Sequence, residues 1–588
     1  MSFANITPRI RLPRHVRQCF TYAVPEGLEP AKGSLVIVPF RNRLVLGVVD
    51  TVVAKTTIKN KLQTISQILT YAALTKTQQW LRKELVNYYG ATETTALTTL
   101  LPDLARRPEM HAVAAVKKIT SITRQKKPLL PLSQSAILTG VLPNPTDDLY
   151  VARTKSAIRL DQQSLILLPD SEELFQVTAA YKKFCRAELW HGSLSRTESA
   201  RIYRSVARGD VEVIVGTRSA LFLPFVNLGN IMVHYPTADG HRSWDMQPHY
   251  DATVLASTMA SALKIPILVS STVAPTTLLN ALPVAHQTEK QRRIIIADRR
   301  AVHSKERQHP LDSNLVGHIT PSTLVLVPRR GYAAPLCRDC EFMPRCPVCD
   351  HRLSYADASQ KMLRCPLCSQ ATPAPALCPE CKGSDFRMVG TGVERVMNWL
   401  TKQLPETKIT QLTAETLSTA SKNIPSQLTV ATPFIVPHLY ALPRFQTIIA
   451  LRADSYLAAP NWFSNEATYH LLATLGAATS ESLIIDTAEP QHPVYQALAH
   501  SDPKILYDAE RDDRKRFLYP PFGEVVSITL RTASPEIGTR LKEILPRATY
   551  TVSQKNIIIH APKGTNFSAI WSVLPDDAIV DHNAPTLL

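Results

Sequence analysis

The chain has 588 residues, 45% apolar and 20% charged, with 66 Lys and Arg against 49 Asp and Glu, a net charge of +17. That length implies about three to five domains with ample core, and the balance is that of an ordinary globular protein, so global disorder is excluded. The basic excess fits a polyanionic partner, either nucleic acid or a membrane surface.

No stretch reaches the roughly 18 uncharged apolar residues of a membrane helix. Met1-Ser2-Phe3-Ala4-Asn5 is not followed by an apolar core, and Arg9, Arg11 and Arg14 come early, so no secretory leader is expected. The expectation is a cytoplasmic, multidomain protein with no membrane partner.

In residues 1–100, Ser34–Phe40 and Leu44–Val49 read as strands joined by the turn Arg41-Asn42-Arg43. A helix is expected over Gln78–Tyr89. Residues 101–131 are poorly patterned and basic ahead of Pro128 and Pro131, and read as a linker. From 132 to 285, short apolar runs (Ser164–Leu168, Val211–Val215, Asn230–His234, Pro266–Ser270) alternate with helical segments, the mark of a parallel α/β sheet. The pattern resumes over 286–500, at Arg293–Ala297, Thr323–Val327, Thr447–Leu451 and Ser482–Asp486, interrupted by a cysteine-rich insertion at 336–383. Residues 504–588, which open with a basic helix over Asp508–Arg516, read strand, helix, strand: a small α+β domain.

Eight of the ten cysteines form four C-x-x-C pairs: Cys337/Cys340, Cys346/Cys349, Cys365/Cys368 and Cys378/Cys381. Thiolates two residues apart on a tight turn converge on one ion, so eight imply two closed zinc sites with no position left for water, structural rather than catalytic. The fifteen residues between Cys349 and Cys365 have zinc-ribbon spacing, which favours an inner site of Cys346, Cys349, Cys365 and Cys368 nested within an outer site of Cys337, Cys340, Cys378 and Cys381. Pairing of sequence neighbours is the alternative.

The four knuckles, with Arg329-Arg330-Gly331-Tyr332 before and Gly392-Val393-Glu394-Arg395 after them, resemble the PriA (primosomal protein N′) family of replication-restart helicases. Further matches, in the right order, are Val38-Pro39-Phe40, Gly216-Thr217-Arg218-Ser219-Ala220-Leu221-Phe222, Ala453-Asp454 with Pro460, and Tyr519-Pro520-Pro521-Phe522. The resemblance implies a β-rich N-terminal DNA-binding domain (1–100), two RecA-like lobes (132–285 and 286–500) with inserted zinc ribbons, and a small α+β C-terminal domain. It implies forked and single-stranded DNA as ligands, and single-stranded DNA-binding protein and other primosome components as partners. The family's winged helix has no room at 101–131.

Three motor parts depart from the family pattern. The nucleotide loop falls at Gly140–Tyr150, where Pro143 and Pro145 remove N–H donors, no Lys is present, and Asp147 and Asp148 would repel phosphate. The acidic box falls at His234-Tyr235-Pro236-Thr237, and the arginine finger at Leu475–Ser480 without an arginine. The expectation is therefore a pseudo-helicase with no catalytic residues. The alternatives are a 3′→5′ helicase with a non-standard nucleotide site and a zinc-ribbon adaptor that binds proteins.

Candidate DNA contacts are Phe20 and Tyr22 for base stacking, Arg41 and Arg43 for duplex phosphate, and Arg218 for single-strand backbone. Each has an ordinary structural reading as well: a packed strand, a solvated turn, a salt bridge. The family's acid that helps hold a 3′-terminal nucleotide is replaced by Thr21.

Overall fold

The computed structural model describes residues 2–583 except 59–61, 103–133, 141, 143, 172, 244, 280, 287–292, 304–305, 307–308, 329–333, 348–351, 356–360, 366–369, 390–391, 414–415, 417–427, 459–461, 533–534 and 554. Most of the expected linker, and Pro143, Cys349, Cys368 and Pro460, lie outside the described residues. The chain divides into two compact units, one of residues 1–139, 143–287 and 512–588, the other of 140–142 and 288–511.

The first unit opens with a five-stranded antiparallel sheet in the order β2-β1-β4-β3-β5. Its strands are β1 (Phe3–Pro8), β2 (Phe20–Ala23), β3 (Ser34–Phe40), β4 (Arg43–Val53) and β5 (Gln67–Ala73). Two helices follow, α1 (Lys76–Asn87) and α2 (Glu93–Leu100). Thr75 and Gln78 start α1 with a reciprocal capping box, each side chain bonded to the other's backbone N–H.

The first lobe is a seven-stranded parallel sheet in the order β12-β6-β11-β10-β7-β9-β8. In chain order its elements are β6 (Ala136–Thr139), α3 (Asp148–Arg159), β7 (Gln163–Leu167), α4 (Leu174–Lys182), β8 (Ala187–Trp190), α5 (Arg196–Arg208), β9 (Val213–Gly216), β10 (Leu228–His234), α6 (Ala252–Leu263), β11 (Ile267–Ser270) and β12 (Val284–His286). Every residue of β7, β9, β10 and β11 is buried, which is why these strands read as continuous apolar runs without alternation. Helix α5 starts on Ser195, which caps the Glu198 N–H, and stops at Gly209 with φ 77°.

One hydrophobic core joins the N-terminal helices to this lobe, with Leu81, Leu85 and Leu97 packed among Leu221, Phe222 and Tyr250. Within it, the fully buried Gln78 amide donates to the Phe222 carbonyl at 2.8 Å.

The second unit is built on a six-stranded parallel sheet in the order β13-β23-β22-β14-β21-β20. β13 spans Arg293–Asp298 and β14 Thr323–Leu326. The cysteine-rich segment then contributes β15 (Ala334–Cys337), β16 (Ser354–Tyr355), β17 (Met362–Arg364), β18 (Ala371–Pro373) and β19 (Phe386–Val389) as two small antiparallel sheets. The main sheet resumes with β20 (Ile409–Gln411), β21 (Leu428–Ala431), β22 (Phe445–Ala450) and β23 (Thr479–Thr487). A buried ion pair braces it: Arg299 donates to both oxygens of Asp486, at 2.9 and 2.5 Å, and the Arg452 N–H adds a third bond at 3.0 Å. A bidentate pair whose carboxylate accepts a third hydrogen bond is the form in which burial of charge is tolerated.

The C-terminal segment returns to the first unit. It forms a four-stranded antiparallel sheet, β25-β26-β24-β27, from β24 (Gly523–Thr529), β25 (Thr549–Val552), β26 (Asn556–Pro562) and β27 (Ile579–His582), with helix Pro535–Ile544 alongside. Val526, Ile528, Ile557, Ile559 and Leu541 form its core.

Candidate metal centre and nucleic-acid interface

Four sulfurs of the cysteine-rich segment converge. Those of Cys337, Cys340, Cys378 and Cys381 all lie within 4.8 Å of one another, with Cys337–Cys381 and Cys340–Cys378 at 3.5 Å. A tetrahedral ion with Zn–S bonds of about 2.3 Å needs sulfurs roughly 3.8 Å apart, so the donor set fits. Both halves are built alike. The Cys337 N–H donates to the Phe342 carbonyl at 2.9 Å, and the Cys378 N–H to the Gly383 carbonyl at 2.7 Å. The residue after each second cysteine is left-handed, Glu341 at φ 61° and Lys382 at φ 64°. This turn brings the N–H groups of Phe342 and Gly383 onto the Cys340 and Cys381 sulfurs. A Cβ at Gly383 would stand 2.0 Å from the exposed Asp339 carboxylate, which would have to swing aside, and 3.3 Å from the Cys381 sulfur.

Of the inner set, Cys346 and Cys365 are described and share a buried cluster with Leu353, Tyr355 and Leu363. The Cys365 N–H donates to the Gln370 carbonyl at 2.8 Å, the same five-residue turn bond made by Cys337 and Cys378. Cys349 and Cys368 lie outside the described residues. The described thiols are compatible with structural zinc.

The loop after β6 stands at the edge of the first lobe where a phosphate cradle is expected. Two of its backbone donors are taken internally. The Thr146 N–H and hydroxyl both bond the Asn144 side-chain oxygen, at 2.9 and 2.8 Å, and the Asp147 N–H bonds the Asn144 carbonyl at 3.2 Å. The buried Tyr181 hydroxyl donates to the Pro145 carbonyl at 2.9 Å and fastens the loop to α4. After β10, where an acidic box is expected, the His234 carbonyl accepts from His241 at 2.8 Å. Burial holds His241 below the usual histidine range, so its ring is neutral at pH 7 and donates from Nε2. In the second unit, the Gly476-Ala477-Ala478 stretch ends helix Ser464–Ala477 and leads into β23.

The N-terminal sheet brings several candidate DNA residues together. β3 and β4 are joined by a two-residue turn, Arg41-Asn42, rather than three: Phe40 pairs with Arg43, and φ is 45° and 62°. Positive φ at both positions defines the type I′ turn that matches strand twist. Arg41, Asn42, Arg43 and Leu44 are all exposed at this tip. Phe20 packs edge-on against Phe40, centroids 5.1 Å apart, and the Arg41 guanidinium lies 5.8 Å from the Phe40 ring. Tyr22 is 4% exposed, with its hydroxyl bonded to the Pro39 carbonyl at 3.0 Å, so its ring is a core side chain. Between them, Thr21 donates to Asn5 at 2.8 Å.

Arg218 opens a short 3₁₀ turn after β9 and is engaged by Asp245 at 2.5 Å. Gly216 just before it admits no Cβ, which would stand 2.6 Å from the Ala220 Cβ and 2.8 Å from the Trp190 carbonyl.

Sequence reading missed how the C-terminal domain docks. The Trp571 indole donates to the Asn87 carbonyl at the end of α1, at 2.7 Å. Asp576 holds the Arg14 backbone N–H and His15, while Arg242 bridges Asp251 at 3.5 Å and Asp581 at 2.8 Å. The His582 ring is wedged against Tyr88 (4.3 Å) and Phe567 (5.1 Å), and its burial pushes its pKa down to about 3. The one sequence signal was the density of aromatics at Tyr88, Tyr89, Phe567 and Trp571.

Comparison with known proteins agrees with these features. Residues 9–102 match the family described as the PriA 3′ DNA-binding domain. Replication restart protein PriA of Bacillus subtilis is 25% identical over 429 residues, covering 67% of this chain and 53% of that protein. The Synechocystis protein of the same name is 24% identical over 484 residues, 75% of this chain and 57% of that protein. The Rickettsia conorii protein is 22% identical over 574 residues, 90% of this chain and 88% of that protein. The chain thus spans little more than half the length of the first two relatives. Among solved structures, the DUF1998 helicase MrfA bound to DNA is similar with a TM-score of 0.36 and 10% identity, over 75% of this chain and 60% of that one. Yeast Dbp5 bound to RNA and ADP BeF3 gives 0.34 and 9%, over 75% and 96%. With a match to the PriA 3′ DNA-binding domain at its start and PriA proteins from several bacteria similar to it over two thirds or more of its length, the chain is similar to replication restart protein PriA.

Proposed function

We propose that this protein is a replication-restart scaffold that binds forked and single-stranded DNA and does not hydrolyse ATP. The observation that carries the reading is the loop Asn144–Asp148, whose N–H donors at Thr146 and Asp147 are spent on Asn144. ATP hydrolysis needs free backbone donors and a Lys around the phosphates, an acid for Mg²⁺, and an arginine at the γ-phosphate. This chain offers Pro145, His234 and Ala477 at the three places. The matched 3′ DNA-binding domain and the basic net charge support the DNA half of the reading.

On this reading the exposed Arg41 and Arg43 tip meets duplex phosphate, Phe20 and Phe40 form the apolar floor beside it, and Arg218 exchanges Asp245 for DNA backbone. Two structural zinc ions hold the cysteine module, the outer on Cys337, Cys340, Cys378 and Cys381, the inner on Cys346, Cys349, Cys365 and Cys368. Single-stranded DNA-binding protein and other primosome components are the partners it would recruit, in the cytoplasm.

The test is anisotropy of a labelled fork and a blunt duplex, with and without ATP and Mg²⁺, across a salt series. Fork preference, a steep salt slope and indifference to ATP are expected. Binding to neither DNA at low salt would favour a zinc-ribbon adaptor. ATP-dependent unwinding would mean a working motor.

A further inference from the structure

Outside the regions already described, the C-terminal domain presents aromatic rings and cations on one rigid turn. Phe517 ends the helix Lys504–Arg516 and is 48% exposed, although it is one of the larger apolar side chains. The Arg516 guanidinium lies 5.5 Å from its ring centre. Tyr519 is the next ring, 6.0 Å away and tilted by 41°, and His560 follows at 5.3 Å from Tyr519. Lys515 stands 5.3 Å from the Phe522 ring. Lys515, Arg516 and Lys563 are all exposed.

The turn that carries these rings is held on several sides. His560 Nδ1 hydrogen-bonds the Phe517 carbonyl at 2.9 Å, and the Tyr519 N–H returns to the Arg514 carbonyl at 2.8 Å. Buried Arg514 donates to the Pro520 carbonyl at 3.0 Å and to Thr276 of the first lobe at 3.1 Å, which ties the turn to that lobe. Leu518 adopts φ 53°, a left-handed value that costs an L-residue and is kept here by those bonds. An exposed ring on an over-determined turn differs from a loose surface phenylalanine, because its position does not have to be ordered when a ligand arrives.

We propose that this turn is a second single-strand contact, in which an unpaired base stacks on Phe517 and flanking phosphates meet Lys515 and Arg516. Aromatic faces with cations at their rim are the chemistry of sequence-tolerant single-strand binding. A membrane surface fits less well, since a broad anionic layer would also meet Asp508, Asp512 and Asp513 on the preceding helix, whereas a single strand is narrow enough to follow Lys515 and Arg516. The proposal rests on the DNA-binding reading above and adds to it a place and a substrate class.

The test is anisotropy of the full chain with labelled oligothymidylate and with a blunt duplex, for the parent and for Phe517→Ala. Truncation should weaken oligothymidylate binding about tenfold, leave duplex binding and the thermal midpoint unchanged, and be rescued by Phe517→Tyr. Lys515→Ala with Arg516→Ala should flatten the salt slope for the oligonucleotide by about 1.4, the release from two phosphates on a single strand. Photocrosslinking of 5-iodouracil in the oligonucleotide should mark the peptide 515–522. Parent-like affinity in Phe517→Ala, with no crosslink in that peptide, would overturn the contact while leaving DNA binding intact. A parent protein that binds no DNA would bring down both readings, and equal loss on duplex and single strand would reduce Phe517 to a folding residue.

Discussion

In the turn Cys378–Gly383 the backbone N–H groups of Glu380, Cys381 and Gly383 point at sulfur. In the loop Asn144–Asp148 the N–H groups of Thr146 and Asp147 are taken by Asn144. Both are short connecting turns, and at each the sequence pattern raises a charged ligand: a metal ion at one, a phosphate at the other. The difference is where the donors go. A turn that aims its N–H groups outward uses a left-handed residue, as at Lys382. A turn with prolines and an Asn that folds back on itself has become a connector.

The largest expected effect tests the first half of that contrast. Cys378→Ser should lower bound zinc from two ions to one by atomic emission, and chelation of both should unfold the module. Structural zinc is worth about 10–16 kcal/mol in small modules, more than the local fold can replace. If Cys378→Ser kept both ions, the outer thiols would not be the site.

Next comes the other half. Phosphate release with saturating single-stranded DNA and Mg²⁺ should stay at background, about 10³-fold or more below a motor that has its arginine finger. A fluorescent ATP analogue should show no saturable binding, because the donors at Thr146 and Asp147 are occupied. Turnover abolished by Asn144→Ala would show that the loop opens.

A smaller effect concerns what keeps the loop shut. Tyr181→Phe removes the donor to the Pro145 carbonyl. The change should cost about 1–2 kcal/mol in chemical denaturation, since the buried acceptor is left without that partner. No loss would mean that Asn144 alone holds the turn.

The smallest is a pH effect, and it tests whether the first unit behaves as one piece. His582 is neutral when folded, with its pKa pushed down to about 3 by burial, whereas an unfolded histidine titrates near 6.5. The unfolded state therefore binds the extra proton. Its stabilising contribution is complete above about pH 6.5 and falls by roughly 1.4 kcal/mol per pH unit as acid moves toward the folded value. Urea midpoints at pH 7.5 and 5.5 should show this loss, and His582→Gln should reduce it.

How much of this could be read from the residues follows from the range of the interactions. Cysteines two residues apart are a local pattern, so the four pairs at 337–381 point to a metal site before any fold is known. The parallel strands were visible as apolar runs because both faces are covered. The turn at Arg41-Asn42 was located but taken as one residue too long, since arginine at a left-handed position gives no local cue. Strand β25 and helix α2 were missed. The first has alternating polar residues on an edge of its sheet, and the second is a threonine-rich helix whose formation depends on its caps and on packing. Trp571 on Asn87, and Arg242 on Asp581, join residues hundreds of positions apart, and no periodicity encodes such pairs. Tyr22 shows the same limit: a strand aromatic reads alike whether it faces a ligand or, as here, a core.

The return of residues 512–588 to the first unit has a consequence during synthesis. The ribosome completes 1–287, then makes the whole of 288–511, and only afterwards supplies β24–β27. At about 5–20 residues per second, Tyr88, Tyr89 and the rest of that apolar face wait roughly 10–45 s for their cover. For that interval the nascent chain is a client for holding chaperones. A premature stop anywhere after lobe one leaves the same sticky surface permanently bare, marking truncated products for proteolysis.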